Sequence, residues 1–149
     1  MTVTLFGHKD TPETIKPVLK STITSFITDY NADLFYVGNN GSFDKMTADI
    51  LFRLSAQYPH IRFYIVLAYL NDAKTIFPDH TIYPEGLETV PKRLAIVKRN
   101  LWMIDKADTI ITYVSNTATN SFSLMEYAQN HKKPIINLYQ KPKRPYPFG

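Results

Sequence analysis

Several small polar and charged residues recur where a chain can hold an anion or move a proton. Gly38-Asn39-Asn40-Gly41 stands before a helical pattern, and its glycines would let backbone N–H groups and a helix N-terminus approach a phosphate. The same four residues equally suit an ordinary strand-to-helix turn. Ser115, Asn116, Asn120, Ser121 and Ser123 cluster around another helix start. They fit hydrogen bonds to phosphate or ribose, or simple capping. In Gly7-His8-Lys9-Asp10, His8 is either a ligand contact and acid–base group or a turn histidine. Arg99 shares a helix face with Trp102 and Met103 by i+3 and i+4 spacing, so part of it is expected to be buried. A buried arginine requires an anionic partner, a carboxylate or a ligand phosphate. The neighbouring Lys92, Arg93, Lys98 and Lys106 read as a solvated face. Glu126, amid Leu124, Met125, Tyr127 and Ala128, is either a satisfied structural acid or a site group.

Other chemistries lack their residues. No glycine-rich loop ends in the Lys-Ser/Thr pair of a phosphate-binding NTPase, and there is no G-x-G-x-x-G, H-E-x-x-H or G-x-S-x-G. His60, His80 and His131 show no metal-ligand spacing, so neither a metal nor a cofactor is expected. With no cysteine, disulfides, thiolate zinc sites and a Cys nucleophile are excluded, and a reducing cytoplasm is the expected location.

Positioning these residues requires a folded scaffold. The chain has 149 residues, 44% of them hydrophobic and 13% aromatic, enough for one domain with a real core. No run approaches the roughly 20 apolar residues that span a bilayer, and the N-terminal residues lack a signal peptide's pattern, so no membrane partner is expected. The pI of about 9.2 points towards polyanions, but the charge is unevenly placed. Without Lys141, Lys143 and Arg144, 14 basic residues face 13 acidic ones, a net of +1. Those three lie in residues 139–149 with Pro142, Pro145 and Pro147, which read as a basic, proline-rich tail after a domain of residues 1–138. Basic residues are not clustered on a helix or interleaved with stacking aromatics, so nucleic acid is disfavoured as a partner and a small ligand preferred.

Apolar periodicity predicts strands at Val3–Phe6, Leu34–Val37, Ile61–Leu67, Thr109–Val114 and Pro134–Leu138. Helices are predicted from near Thr14, from about Ser42 to Tyr58, from Pro91 to about Asp105, and over Asn120–Asn130. Between them, about Tyr69 to Val90 reads as a long irregular segment. Alternating strands and helices imply right-handed crossovers. The expected fold is a Rossmann-like, three-layer α/β domain with a five-stranded parallel sheet, its ligand beyond the carboxyl ends of the strands.

Leu5-Phe6-Gly7-His8-Lys9-Asp10-Thr11-Pro12 and Phe35-Tyr36-Val37-Gly38-Asn39-Asn40-Gly41-Ser42-Phe43-Asp44 resemble the single-domain YpsA-type branch of the SLOG superfamily. So do Ile82 to Glu88 and the segment from Val90 through Lys98-Arg99-Asn100 to Trp102-Met103, and the resemblance covers nearly everything from residue 3 to 138. It implies a Rossmann-like domain that binds a nucleotide or nucleotide-derived molecule, with a sensor as one role open to it, and an ordered Tyr83–Glu88 element that brings Tyr83 and Glu85 to the ligand. A homodimer is common in relatives of this kind. A more distant resemblance, to Lonely-Guy-type phosphoribohydrolases, sets Arg99 and Glu126 on that family's catalytic arginine and glutamate. It implies, as an alternative, cleavage or transfer of an N-glycosidic bond of nucleoside monophosphates or deoxynucleosides. Thr119, Asn120 and Phe122 replace that family's three motif glycines, and Phe122 is expected to obstruct backbone approach to a phosphate. A third reading is a partner-binding module using the basic tail.

Overall fold

A computed structural model describes residues 1–70, 77–115 and 119–140. β1 (Thr2–Gly7) is a β-prone run with four consecutive buried residues, Val3 to Phe6, as a strand covered on both faces requires. One 3-10 turn, Glu13–Ile15, leads into α1 (Lys16–Asp29). Pro17 sits in the first turn of α1, where its missing N–H costs no helical bond. Leu19, Ile23, Phe26 and Ile27 form its buried stripe. β2 (Leu34–Val37) and α2 (Ser42–Gln57) follow, with Phe43, Met46, Ile50, Leu51 and Leu54 turned inward. β3 (Arg62–Val66), α3 (Lys92–Lys106), β5 (Thr109–Tyr113), α4 (Asn120–Asn130) and β6 (Ile135–Asn137) complete the expected alternation.

The sheet has six strands rather than the expected five. The addition is β4 (Thr81–Ile82), which pairs in parallel with β3 through Ile65↔Thr81 and Val66↔Ile82. Two half-buried residues between the 3-10 turn Pro78–His80 and Pro84 form no apolar run, so periodicity could not show them. The strand order is β4-β3-β2-β1-β5-β6, every pairing parallel, and the direction of winding reverses between β1 and β5.

Helices cover both faces. One core joins Leu5, Phe35, Phe63 and Ile111 of the sheet to Leu19 and Ile23 of α1 and Leu51 and Leu54 of α2. The other joins Phe6, Ile110 and Val114 to Ile104 of α3 and Leu124 and Ala128 of α4. Among the described residues no helix is long and apolar enough to cross a membrane. The basic end of the tail, residues 141–149, lies outside them.

Candidate functional site

At the reversal point the connections after β1 and β5 diverge, and a cleft of about 330 Å³ opens at the carboxyl ends of β1 and β2. Gly7, His8, Lys9 and Asp10 border it from β1, and Gly38, Asn40 and Asp44 from β2 and the start of α2. Ile96, Arg99, Asn100 and Met103 of α3 form another wall, and Thr119, Asn120 and Ser121 at the start of α4 complete it. Thr119 caps α4, its Oγ1 accepting the Phe122 N–H at 3.3 Å. The first turn of an 11-residue helix therefore borders the cleft, with the partial positive charge of its end.

The wall nearest α3 is organised by Arg99, which is 1% exposed. Its Nε donates to Asn100 Oδ1 at 2.7 Å, and its Nη1 to Val66 O at 2.8 Å and Asn39 Oδ1 at 3.1 Å. Its Nη2 donates to Asn40 Oδ1 at 2.9 Å. Sequence reasoning expected a carboxylate or a phosphate as its partner. The acceptors of these four bonds are neutral amide and carbonyl oxygens, which tie the ends of β2 and β3 to α3, and the Asp44 carboxyl stands close enough to feel the guanidinium charge. Gly38 makes this possible by leaving no side chain where Arg99 and Asp44 pass: a Cβ there would lie 3.0 Å from the guanidinium carbon and 2.9 Å from Asp44 Oδ2.

Asp44 is a site residue that sequence reasoning missed. Its Oδ2 accepts the Asn40 N–H at 2.8 Å, closing the turn that leads into α2. Burial pushes its carboxyl up to about 6, while the Asn40 N–H and then the Arg99 charge hold it from rising further. The usable signal was its place three residues after the helix-capping Gly41, where an acid reaches back to free N–H groups.

The β1 connection is locked onto the same turn. The Ser42 N–H donates to Lys9 O at 2.8 Å and Ser42 Oγ to Thr11 O at 2.6 Å. Gly41 has φ +105°, and a Cβ on it would lie 2.6 Å from the Lys9 Cα, so both conformation and space demand glycine. His8 Nε2 accepts the Ser115 N–H at 2.8 Å, which places the proton of the neutral ring on Nδ1. Ser121 Oγ donates to Gly7 O at 2.9 Å, fastening α4 to the end of β1.

Of the expected site residues, Gly7, His8, Lys9, Gly38, Asn40, Arg99, Asn120 and Ser121 border the cleft. Asn39 and Ser115 stand behind it, bonded to Arg99 and His8, and Gly41 supports Lys9. Asn116 lies outside the described residues. Four others are not brought together with these. Tyr83 packs against Val37, Ala48, Ile65 and Leu67, beside a separate cavity, and Glu85 is exposed. Ser123 and Glu126 are exposed on α4, and neither borders the cleft. Glu126 is two residues from each of the buried Leu124 and Ala128, which turns it to the opposite side of the helix. Phe122 packs against the apolar cluster of Phe6, Ile104 and Leu124 and is not among the residues that border the cleft. Among the described residues no three of His, Cys, Asp and Glu converge as metal ligands would.

No protein-family model matches the chain, and no curated protein matches it by sequence. Solved structures do share its fold. One is DNA processing protein A from Helicobacter pylori, whose single-stranded DNA binding mode has been described structurally. It superposes with a TM-score of 0.69 at 15% identity, over 95% of this chain and 66% of that one. Another is DNA processing protein A (DprA) from Streptococcus pneumoniae, with a TM-score of 0.70 at 12% identity, over 94% of this chain and 50% of that one. The chain thus spans just under two thirds of the first neighbour and half of the second. These neighbours lend no support to the YpsA-type branch in particular. They also overturn the expectation that disfavoured nucleic acid, since a protein described for binding single-stranded DNA shares this architecture. The chain has a Rossmann-like α/β fold of the kind found in DNA processing protein A.

Proposed function

We propose that the cleft binds one nucleotide unit, a base on a phosphorylated sugar, in the manner of a SLOG-type domain. The observation that supports this most is the cleft's position: it lies at the reversal of strand order and is bordered by the first turn of α4. Anions are favoured at a helix N-terminus, and Lys9 stands exposed at the same opening. Its volume of about 330 Å³ lies within the range of small-ligand sites. His8, Asn40 and Asn100 supply polar groups for sugar and base, and Ile96, Met103 and Leu124 supply apolar surface. Glycosidic cleavage is not part of this reading, because Glu126 does not border the cleft.

The likeness to DNA processing protein A favours a second reading, in which the nucleotide unit belongs to a single strand. Calorimetry with AMP, dAMP, ADP-ribose and a ten-residue deoxyadenosine strand separates the two. A free-nucleotide site binds the monomers as tightly as the strand. A strand site binds the ten-mer more tightly, with an affinity that falls steeply with salt. Lys9→Ala is expected to weaken whichever ligand binds by about ten-fold. Absence of binding by all four at about 100 μM protein overturns the proposal.

A further inference from the structure

A second cavity of about 330 Å³ lies at the same edge of the sheet, with α3 as a wall shared with the cleft. Ala95 borders this cavity and Arg99 borders the cleft, one helical turn further on, about 6 Å along the axis. The cavity differs in character from the cleft. Tyr69 and Tyr83 line it with Leu87 and Ala95, and the exposed carboxylate of Glu88 stands at its rim. Both rings are anchored. The Tyr69 hydroxyl donates to Lys92 O at 2.8 Å, bridging from the end of β3 to the first turn of α3. Tyr83 packs against the cluster of Val37, Ala48, Ile65 and Leu67. A half-open cavity with two fixed aromatic side chains, an apolar floor and one acceptor suits a flat heterocycle that carries an amino group.

We propose that this cavity seats the second base of a dinucleotide unit whose first nucleotide occupies the cleft. The inference rests on the reading of the cleft as a nucleotide site. Its ligand class is a dinucleotide, free or as one step of a single strand, stacked on Tyr69 with an amino group donating to Glu88. The one-turn spacing of Ala95 and Arg99, which border the two cavities on α3, is comparable with the step between neighbouring nucleotides. The extra base gains its affinity from stacking, whereas the first nucleotide relies on the helix end and Lys9.

The test compares the dissociation constants of dAMP and the dinucleotide d(pApA) on the intact chain. The dinucleotide is expected to bind at least about ten-fold more tightly, the gain that one stacked base provides. Tyr69→Ala should bring that ratio to about 1 with dAMP binding unchanged, and Tyr69→Phe, which keeps the ring, should retain it. Should Tyr69→Ala fail to fold by thermal unfolding, Val90→Trp, which fills the cavity from its half-exposed edge, serves in its place and should likewise abolish the gain. Binding of dAMP with a wild-type ratio near 1, or a ratio untouched by the variants, overturns the second subsite and leaves the cleft reading standing. Absence of binding by either ligand overturns both.

Discussion

Arg99 and Asn40, 59 residues apart in the chain, are joined by a 2.9 Å hydrogen bond from Nη2 to the side-chain oxygen, while the Asn40 backbone N–H is held by Asp44. The turn after β2 is thus gripped from both sides, by a cation on its side chains and by an acid on its backbone. Both grips are made within the chain, so this wall of the cleft is built from the protein's own contacts.

Arg99→Ala removes the donor for four acceptors around a buried position, and is expected to cost about 3–5 kcal/mol of folding stability. Arg99→Lys should recover less than half of that, because an ammonium cannot reproduce the planar fork. Urea unfolding of the three proteins measures both effects.

Asp44 gives a pH dependence with a definite sign. Its carboxyl titrates near 6 in the fold against 3.8 as a free side chain, so between those values the folded state holds the proton more firmly. Its contribution to stability is full below pH 4 and is lost as pH rises through 6, by about 3 kcal/mol in all. Asp44→Asn cannot ionise and retains an oxygen for the Asn40 N–H. The stability of the variant relative to wild type should therefore increase between pH 4 and pH 7. Chemical unfolding across that range checks it, and a flat difference refutes the assignment.

Gly41→Ala should destabilise the protein by about 2–3 kcal/mol, since φ of +105° is costly for alanine and its methyl group meets the Lys9 backbone. The shift of Lys9 should also weaken nucleotide binding. Thermal unfolding and calorimetry report the two effects separately.

Thr112, wholly buried in β5, has a hydroxyl with no hydrogen-bond partner among the described residues. Thr112→Val replaces it with a methyl group of like shape, so a gain of about 1 kcal/mol is expected. In a chain of this length that raises the unfolding midpoint by roughly 2–4 °C.

Most of the scaffold was legible because its signals are local. Runs such as Val3 to Phe6 and Ile110 to Thr112 are buried on both faces and stay apolar, β-branched or aromatic throughout, and Pro17 and Pro91 mark helix starts by removing a donor. β4 escaped because two residues show no period. For the site, spacing with Trp102 and Met103 correctly buried Arg99. Its partners could not be read, since Asn39, Asn40 and Val66 reach it only through the pairing of β2 with β3. Glu126 was placed by counting along a motif, and counting does not reveal which side of α4 faces the cleft.

The two outermost strands carry a last consequence. β4 has two residues and β6 has three, on either side of a sheet whose inner strands have four to six. Each outermost strand therefore offers few free backbone groups of its own for the pairing of another chain. A foreign strand would find little of β4 or β6 to extend.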